Sequence, residues 1–166
     1  SIFVQNLMDY ARIINSNFTV HARLFNVHEM IQEALEVFEL RAKCKDIALK
    51  VTCDRSLSLV NDREKLLGLV YTFLDNSVKF TKKGSVHLKV EYSPQLKACV
   101  FAIVDTGIGI DQKDFGHLSE IVKNPWLQDK TNSAAGLGIG FRMAVMLLKA
   151  VNKGQVSLEV SSKIGS

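Results

Sequence analysis

Leu74-Asp75-Asn76-Ser77-Val78-Lys79-Phe80-Thr81, then Asp105-Thr106-Gly107-Ile108-Gly109-Ile110, then Gly136-Leu137-Gly138-Ile139-Gly140-Phe141 follow one another along this chain. The first segment ends a helical apolar pattern with an amide, an ammonium and an aromatic ring close together. The second sets a carboxylate at the end of an unbroken apolar run, Ala98 to Val104, and follows it with glycines. The third spaces glycines around two aliphatic residues where a helical pattern resumes. A lone Asp-Thr-Gly is most often a turn, and a lone glycine-rich segment is most often a packing turn. The three in this order are much harder to reach by chance.

Working outward, Asp62 caps a helix predicted to run to about Phe80. Leu67, Val70, Phe73, Leu74 and Val78 fall on its core stripe, and Thr72, Asn76, Lys79 and Phe80 on another side. Gly84, after the basic turn of Lys79, Lys82 and Lys83, reads as the stop. Upstream, Asn26 caps a helix whose apolar face is Val27, Met30, Ile31, Ala34 and Phe38. Ile47 to Cys53 alternates as a strand, and Leu57 to Val60 reads as a short second one. Val86, Leu88, Val90 and Tyr92 alternate with polar residues as a half-buried strand, and Ala98 to Val104 reads as a central strand. Asp111 to Ala135 has weak periodicity and reads as an irregular lid. A helix is predicted from Leu137 to about Val151, and Gln155 to Val160 is predicted to close the sheet. The fold class is therefore α/β (α+β): a two-layer sandwich with a mixed sheet covered on one face by about three helices.

At the N-terminus, Val4, Leu7, Ala11 and Ile14 repeat at alternating steps of three and four, the seam of a helix that packs on another helix. Residues 1–20 are read as a helical stub and linker, and 21–166 as one domain. With 166 residues and 47% apolar content, one core of ordinary size is expected. The net charge of +4 is scattered and not gathered into an aromatic-interleaved stripe, so no nucleic-acid surface is expected. The apolar runs are far shorter than the roughly 20 residues of a membrane span, and no basic-then-apolar leader precedes Asn6. No membrane contact and a cytoplasmic location are expected. Cys44, Cys53 and Cys99 are odd in number and lack metal spacing, so reduced thiols are expected. The glycines lack both the GxGxxG strand-turn-helix setting and a GKS or GKT sequence, which excludes Rossmann and P-loop sites.

From about Asn26 to the C-terminus the chain resembles the catalytic, ATP-binding domain of sensor histidine kinases, in the GHKL superfamily with its Bergerat fold. The three segments match that family's N, G1 and G2 boxes. An Asn amide oxygen is a neutral hard donor suited to Mg²⁺, which keeps most of its waters and shares phosphate oxygens; Asn76 is the expected metal ligand. The resemblance implies that Lys79 reaches the phosphates, making Asn76 and Lys79 the catalytic pair, and that Phe80 packs on adenine. It also implies that Asp105, expected to be buried, accepts a hydrogen bond from adenine's exocyclic amine. Gly107, Gly109 and Ile110, with Gly136, Leu137, Gly138, Ile139 and Gly140, would line the nucleotide. The bare amides and positive helix end of the last group suit phosphate oxygens. The implied partners are ATP, a dimerisation and phosphoacceptor bundle whose second helix the N-terminal stub would end, and a downstream receiver domain or response regulator. The parent is read as a homodimer, soluble or membrane-bound.

The chain also departs from that pattern. Thr72 stands where histidine kinases commonly carry Asn and the gyrase branch a catalytic Glu, so autonomous hydrolysis through a carboxylate base is not expected. In the lid, the stretch around Ser119 and Val122 lacks the two expected phenylalanines. His21, His28, His87 and His117 do not match a phosphoacceptor pattern. Lys123 and Lys130 read as solvated lid residues, and Trp126 as a packing anchor. The residues are also compatible with a degenerate GHKL module that binds nucleotide or a partner without transfer, and with an anti-sigma type kinase or ATPase.

Overall fold

The computed structural model describes residues 2–126, 138–152 and 158–162. Helix α1 (Ile2–Ile14) leads to a short strand β1 (Arg23–Asn26), helix α2 (Val27–Cys44), and strands β2 (Ile47–Cys53) and β3 (Ser58–Asn61). Helix α3 (Arg63–Phe80) precedes strands β4 (Gly84–Ser93) and β5 (Ala98–Asp105), and helices α4 (Gln112–Lys123) and α5 (Gly138–Val151) follow.

Both predicted caps form. Asn26 Oδ1 accepts from the Glu29 amide at 3.0 Å, and Asp62 Oδ1 from the Lys65 amide at 3.2 Å, each satisfying an amide the helix cannot pair. The face of α2 made by Val27, Met30, Ile31, Ala34 and Phe38 is buried, as are Leu67, Val70, Leu74 and Val78 of α3. These residues form one core with Val86, Leu88 and Val90 of β4 and with Ala144, Leu147 and Val151 of α5. Phe38 meets the Tyr71 ring at 5.4 Å between centroids, the two planes tilted by 53°. Truncating a ring buried this deeply costs about 3–5 kcal/mol.

The sheet order is β2-β4-β5, with β2 parallel and β5 antiparallel to β4. The parallel step from β2 to β4 is made by a crossover containing α3, which lays that helix across the sheet. This is the two-layer α/β architecture expected, with helices over one face of a mixed sheet.

Several details differ from the sequence reading. Arg23–Asn26, where no strand was predicted, is a strand that pairs antiparallel with β3, setting Leu24 opposite Val60 in a separate two-stranded sheet. β5, read as central, is an edge among the described residues and only half-buried, because apolar content alone does not say which strand has neighbours on both sides. Tyr92, read as inward, is exposed near the end of β4. Of Gln155–Val160, residues 158–160 are described and belong to no strand; Leu158 and Val160 pack instead on a second cluster of Leu118, Ile121, Phe141 and Val145.

The region read as irregular after Ile110 contains α4, capped by Asp111, whose carboxylate accepts from the Asp114 amide at 2.8 Å. The cap is a local signal that the polar composition masked. Trp126, read as an anchor, is exposed, while Lys130 lies outside the described residues. α1 packs on α5 and α3. Its seam residues Val4, Leu7 and Ile14 are exposed, while Asp9 is buried on the contacting side.

Candidate functional site

Helix α3 delivers the first segment. Asn76 is half-buried, and its amide makes no hydrogen bond among the described residues. One turn on, Lys79 Nζ lies 5.1 Å from the centroid of the Phe80 ring, so the ammonium and the aromatic face occupy one side of the helix end. Three residues before Asn76, Phe73 meets Phe141 edge-on at 6.1 Å. That contact holds the start of α5, where Gly140 sits, against the same stretch of α3.

The antiparallel register of β4 and β5 sets Asp105 opposite Val86. The end of β5 thus returns to the end of α3. The Thr106 amide donates to the Ser85 carbonyl at 3.0 Å, and the Ser85 amide donates to the Thr106 hydroxyl at 2.9 Å. The Ile108 amide then donates to the Phe80 carbonyl at 3.2 Å. Two segments separated along the chain are in this way joined through main-chain atoms.

Gly107 is buried at the junction. A Cβ there would lie 2.8 Å from Asp105 Oδ1, 2.9 Å from the Phe80 carbonyl oxygen and 3.1 Å from Thr81 Oγ1. Only glycine permits that approach. Gly109 has φ 74, in the left-handed region. Ile110 donates its amide to Ser162 Oγ at 2.8 Å, a link that the sequence reading did not anticipate.

Asp105 is exposed, contrary to the expected burial. It is the last residue of an edge strand, and no described element covers it. Its Oδ1 already accepts from the Gly107 amide at 3.0 Å, so the carboxylate has a donor without desolvation. The buried polar atom of this corner is instead Thr81 Oγ1, which has no hydrogen-bond partner among the described residues. Thr81 closes the segment Leu74 to Thr81 but was not singled out from the sequence. An orphaned buried hydroxyl beside a carboxylate and a backbone carbonyl fits a corner that receives a polar heterocycle.

Of the third segment, Gly136 and Leu137 lie outside the described residues, and Gly138, Ile139 and Gly140 open α5. Among the described residues nothing stands within 4 Å of a Cβ built on Gly140, so none of them demands glycine there by packing. Thr72 bonds its hydroxyl back to the Gly68 carbonyl at 2.9 Å. In α4, Ser119 does the same to Phe115 at 2.9 Å, and Val122 packs on the second cluster. Among the described residues no group of three or more His, Cys, Asp or Glu side chains is placed to hold a metal ion, and no helix is long and apolar enough to cross a membrane.

The geometry is that of a two-layer α/β domain with a polar corner between a helix end and a glycine-bearing strand end. A family model described as histidine kinase-, DNA gyrase B-, and HSP90-like ATPase matches residues 61–166, and the chain belongs to that family. It is 23% identical to the autoinducer 2 sensor kinase/phosphatase LuxQ of Vibrio cholerae, over 98% of this chain and 19% of that protein. It is 28% identical to hybrid signal transduction histidine kinase C of Dictyostelium discoideum, over 82% of this chain and 12% of that one. The chain thus spans less than a fifth of either relative. The fold is similar to that of full-length ShkA in complex with AMPPNP, with a TM-score of 0.69 at 20% identity, over 90% of this chain and 30% of ShkA.

Proposed function

We propose that this chain is the ATP-binding catalytic domain of a sensor histidine kinase, of simple or hybrid architecture. It would serve transfer of the γ-phosphoryl group to a histidine on a dimerisation bundle. The observation that supports this most is the joining of α3 to the Asp105–Ile110 turn, with Phe80, Thr81, Asp105 and Gly107 at one corner. ATP would seat its base there. Asp105 would accept from the exocyclic amine and select adenine over guanine, which presents an oxygen at that place. Phe80 would pack on the ring.

Asn76 would hold Mg²⁺ through its amide oxygen, and Lys79 would face the phosphates as a point charge. The amides of Gly138 and Gly140 at the start of α5 would meet phosphate oxygens. Bound Mg²⁺–ATP supplies the group to be transferred; the residues position it and neutralise its charge, which is most of what phosphoryl transfer asks of a protein. The exposed seam of Val4, Leu7 and Ile14 on α1 suits packing against helices of a homodimeric bundle. A receiver domain or response regulator would take the phosphoryl group onward.

Titration with ATP, with and without Mg²⁺, tests the site. Asn76→Ala should remove the Mg²⁺-dependent part of the affinity and Asp105→Ala the preference for ATP over GTP. Wild-type affinity in both variants would refute the site. Phosphohistidine formed on an added cognate bundle tests the transfer. A second reading, a nucleotide-binding regulatory module without transfer, is favoured by Thr72, whose hydroxyl is turned back onto its own helix. Tight binding with no transfer would decide for it.

A further inference from the structure

A helix leaves its last four carbonyls without partners inside the helix, and at the end of α3 two of those carbonyls belong to Lys79 and Phe80 of the proposed site. The Ser77 carbonyl accepts from the Thr81 amide at 3.0 Å, and the Phe80 carbonyl from the Ile108 amide. Three others in this stretch, those of Val78, Lys79 and Thr81, all accept from one atom, Lys45 Nζ, at 2.5, 3.0 and 3.0 Å. An ammonium has three protons to donate. Lys45 therefore spends its whole donor capacity on the end of α3, and it forms no ion pair among the described residues.

Lys45 is itself held. It is the C-cap of α2, its amide donates to the Ala42 carbonyl at 3.1 Å, and Asp46 at φ 54 turns the chain into β2 directly after it. The ammonium is thus delivered from a fixed corner of the scaffold. The carbonyls it grips flank that of Phe80, which the Asp105–Ile110 turn grips from the other side. A positive charge at a helix C-terminus is favoured, and charge-assisted bonds are about twice as strong as neutral ones.

We infer that Lys45 is a positioning residue of the nucleotide site. It touches no part of the ligand but holds the last turn of α3 at the height where Phe80 and Thr81 meet Asp105 and Gly107. The inference rests on the function proposed above, and its test separates the two.

ATP affinity is measured for the wild type, Lys45→Met and Lys45→Arg, at a temperature far below every variant's unfolding midpoint. Amide exchange at Thr81 and Ile108 is followed in the same samples without nucleotide. Lys45→Met should bind ATP about tenfold more weakly, with faster exchange at Thr81 and Ile108 and unchanged protection in the middle of β4. Lys45→Arg, which keeps charge and donors, should recover most of both. If Lys45→Met does not fold, Lys45→Gln takes its place. Wild-type affinity together with wild-type exchange in the Met or Gln variant would overturn the inference. A wild type that binds no ATP would overturn the proposed function alone, since the exchange at Thr81 and Ile108 still tests the clamp.

Discussion

The Ile108 amide donates to the Phe80 carbonyl at 3.2 Å, and Gly107, one residue earlier, leaves only a hydrogen's width between its backbone and that same carbonyl. A methyl group at 107 would meet Phe80, Asp105 and Thr81 together. Gly107→Ala should therefore cost about 1–3 kcal/mol of stability, as overpacking against backbone does. It should also weaken ATP binding by pushing the two segments apart. Denaturant midpoints and nucleotide titration check the two effects, and an unchanged midpoint would contradict the packing described.

A second glycine carries a different constraint. Gly84 begins β4 and is not the stop of α3, which ends at Phe80 with Thr81 as its cap. Its φ is 117, and a Cβ there would lie 2.1 Å from Thr106 Oγ1. Gly84→Ala should destabilise by about 2 kcal/mol or more, through backbone strain and the clash together. Adding Thr106→Ala should recover the clash but not the strain. A double-mutant cycle by chemical denaturation separates the parts; full recovery would mean that strain contributes nothing.

The carboxylate of Asp9, 1% exposed on α1, receives Lys65 Nζ of α3 at 2.7 Å on both oxygens, with Arg12 further off at 3.6 Å. Lys65→Met strands a buried charge and should cost about 3–5 kcal/mol, whereas the apolar pair Asp9→Leu with Lys65→Met should be close to neutral. Thermal or urea unfolding of the three chains is the measurement. A single variant as stable as the wild type would show that α1 is not docked in solution.

The thiols report on pH. Burial first, then the neighbouring Cys53, pushes Cys99 up to about 11 from a usual value of 9.0. Burial and then Asp54 raise Cys53 as well. The unfolded chain releases these protons first, so between pH 9.0 and about 11 the folded state binds more protons and stability falls as pH rises. Below that window the contribution is fully present. Cys99→Ala should flatten the fall, seen as unfolding midpoint against pH. Iodoacetamide should alkylate the exposed Cys44 ahead of Cys99; the reverse order by mass spectrometry would contradict the burial.

Much of the fold was legible locally. Asn26 and Asp62 could be read as caps because a short polar side chain before an apolar period has one dominant use, and both bond as expected. The inward set Val86, Leu88 and Val90 followed from strand alternation. The pairing of Arg23–Asn26 with β3 was not legible, because four residues, two exposed and two half-buried, carry too little pattern to mark an edge. α4 was hidden in the same way by its polar face.

What the sequence determined by itself is which side chains could do chemistry: the amide of Asn76, the ammonium of Lys79, the carboxylate of Asp105 and the glycines around it. Those are properties of residue type and short spacing. What only the tertiary structure decided is how they are held. The exposure of Asp105, the orphaned hydroxyl of Thr81 and the grip of Lys45 on the carbonyls of Val78, Lys79 and the cap residue Thr81 each depend on the distance between atoms far apart in the chain. Such distances follow from strand register and helix crossing, and no local pattern of residues encodes them.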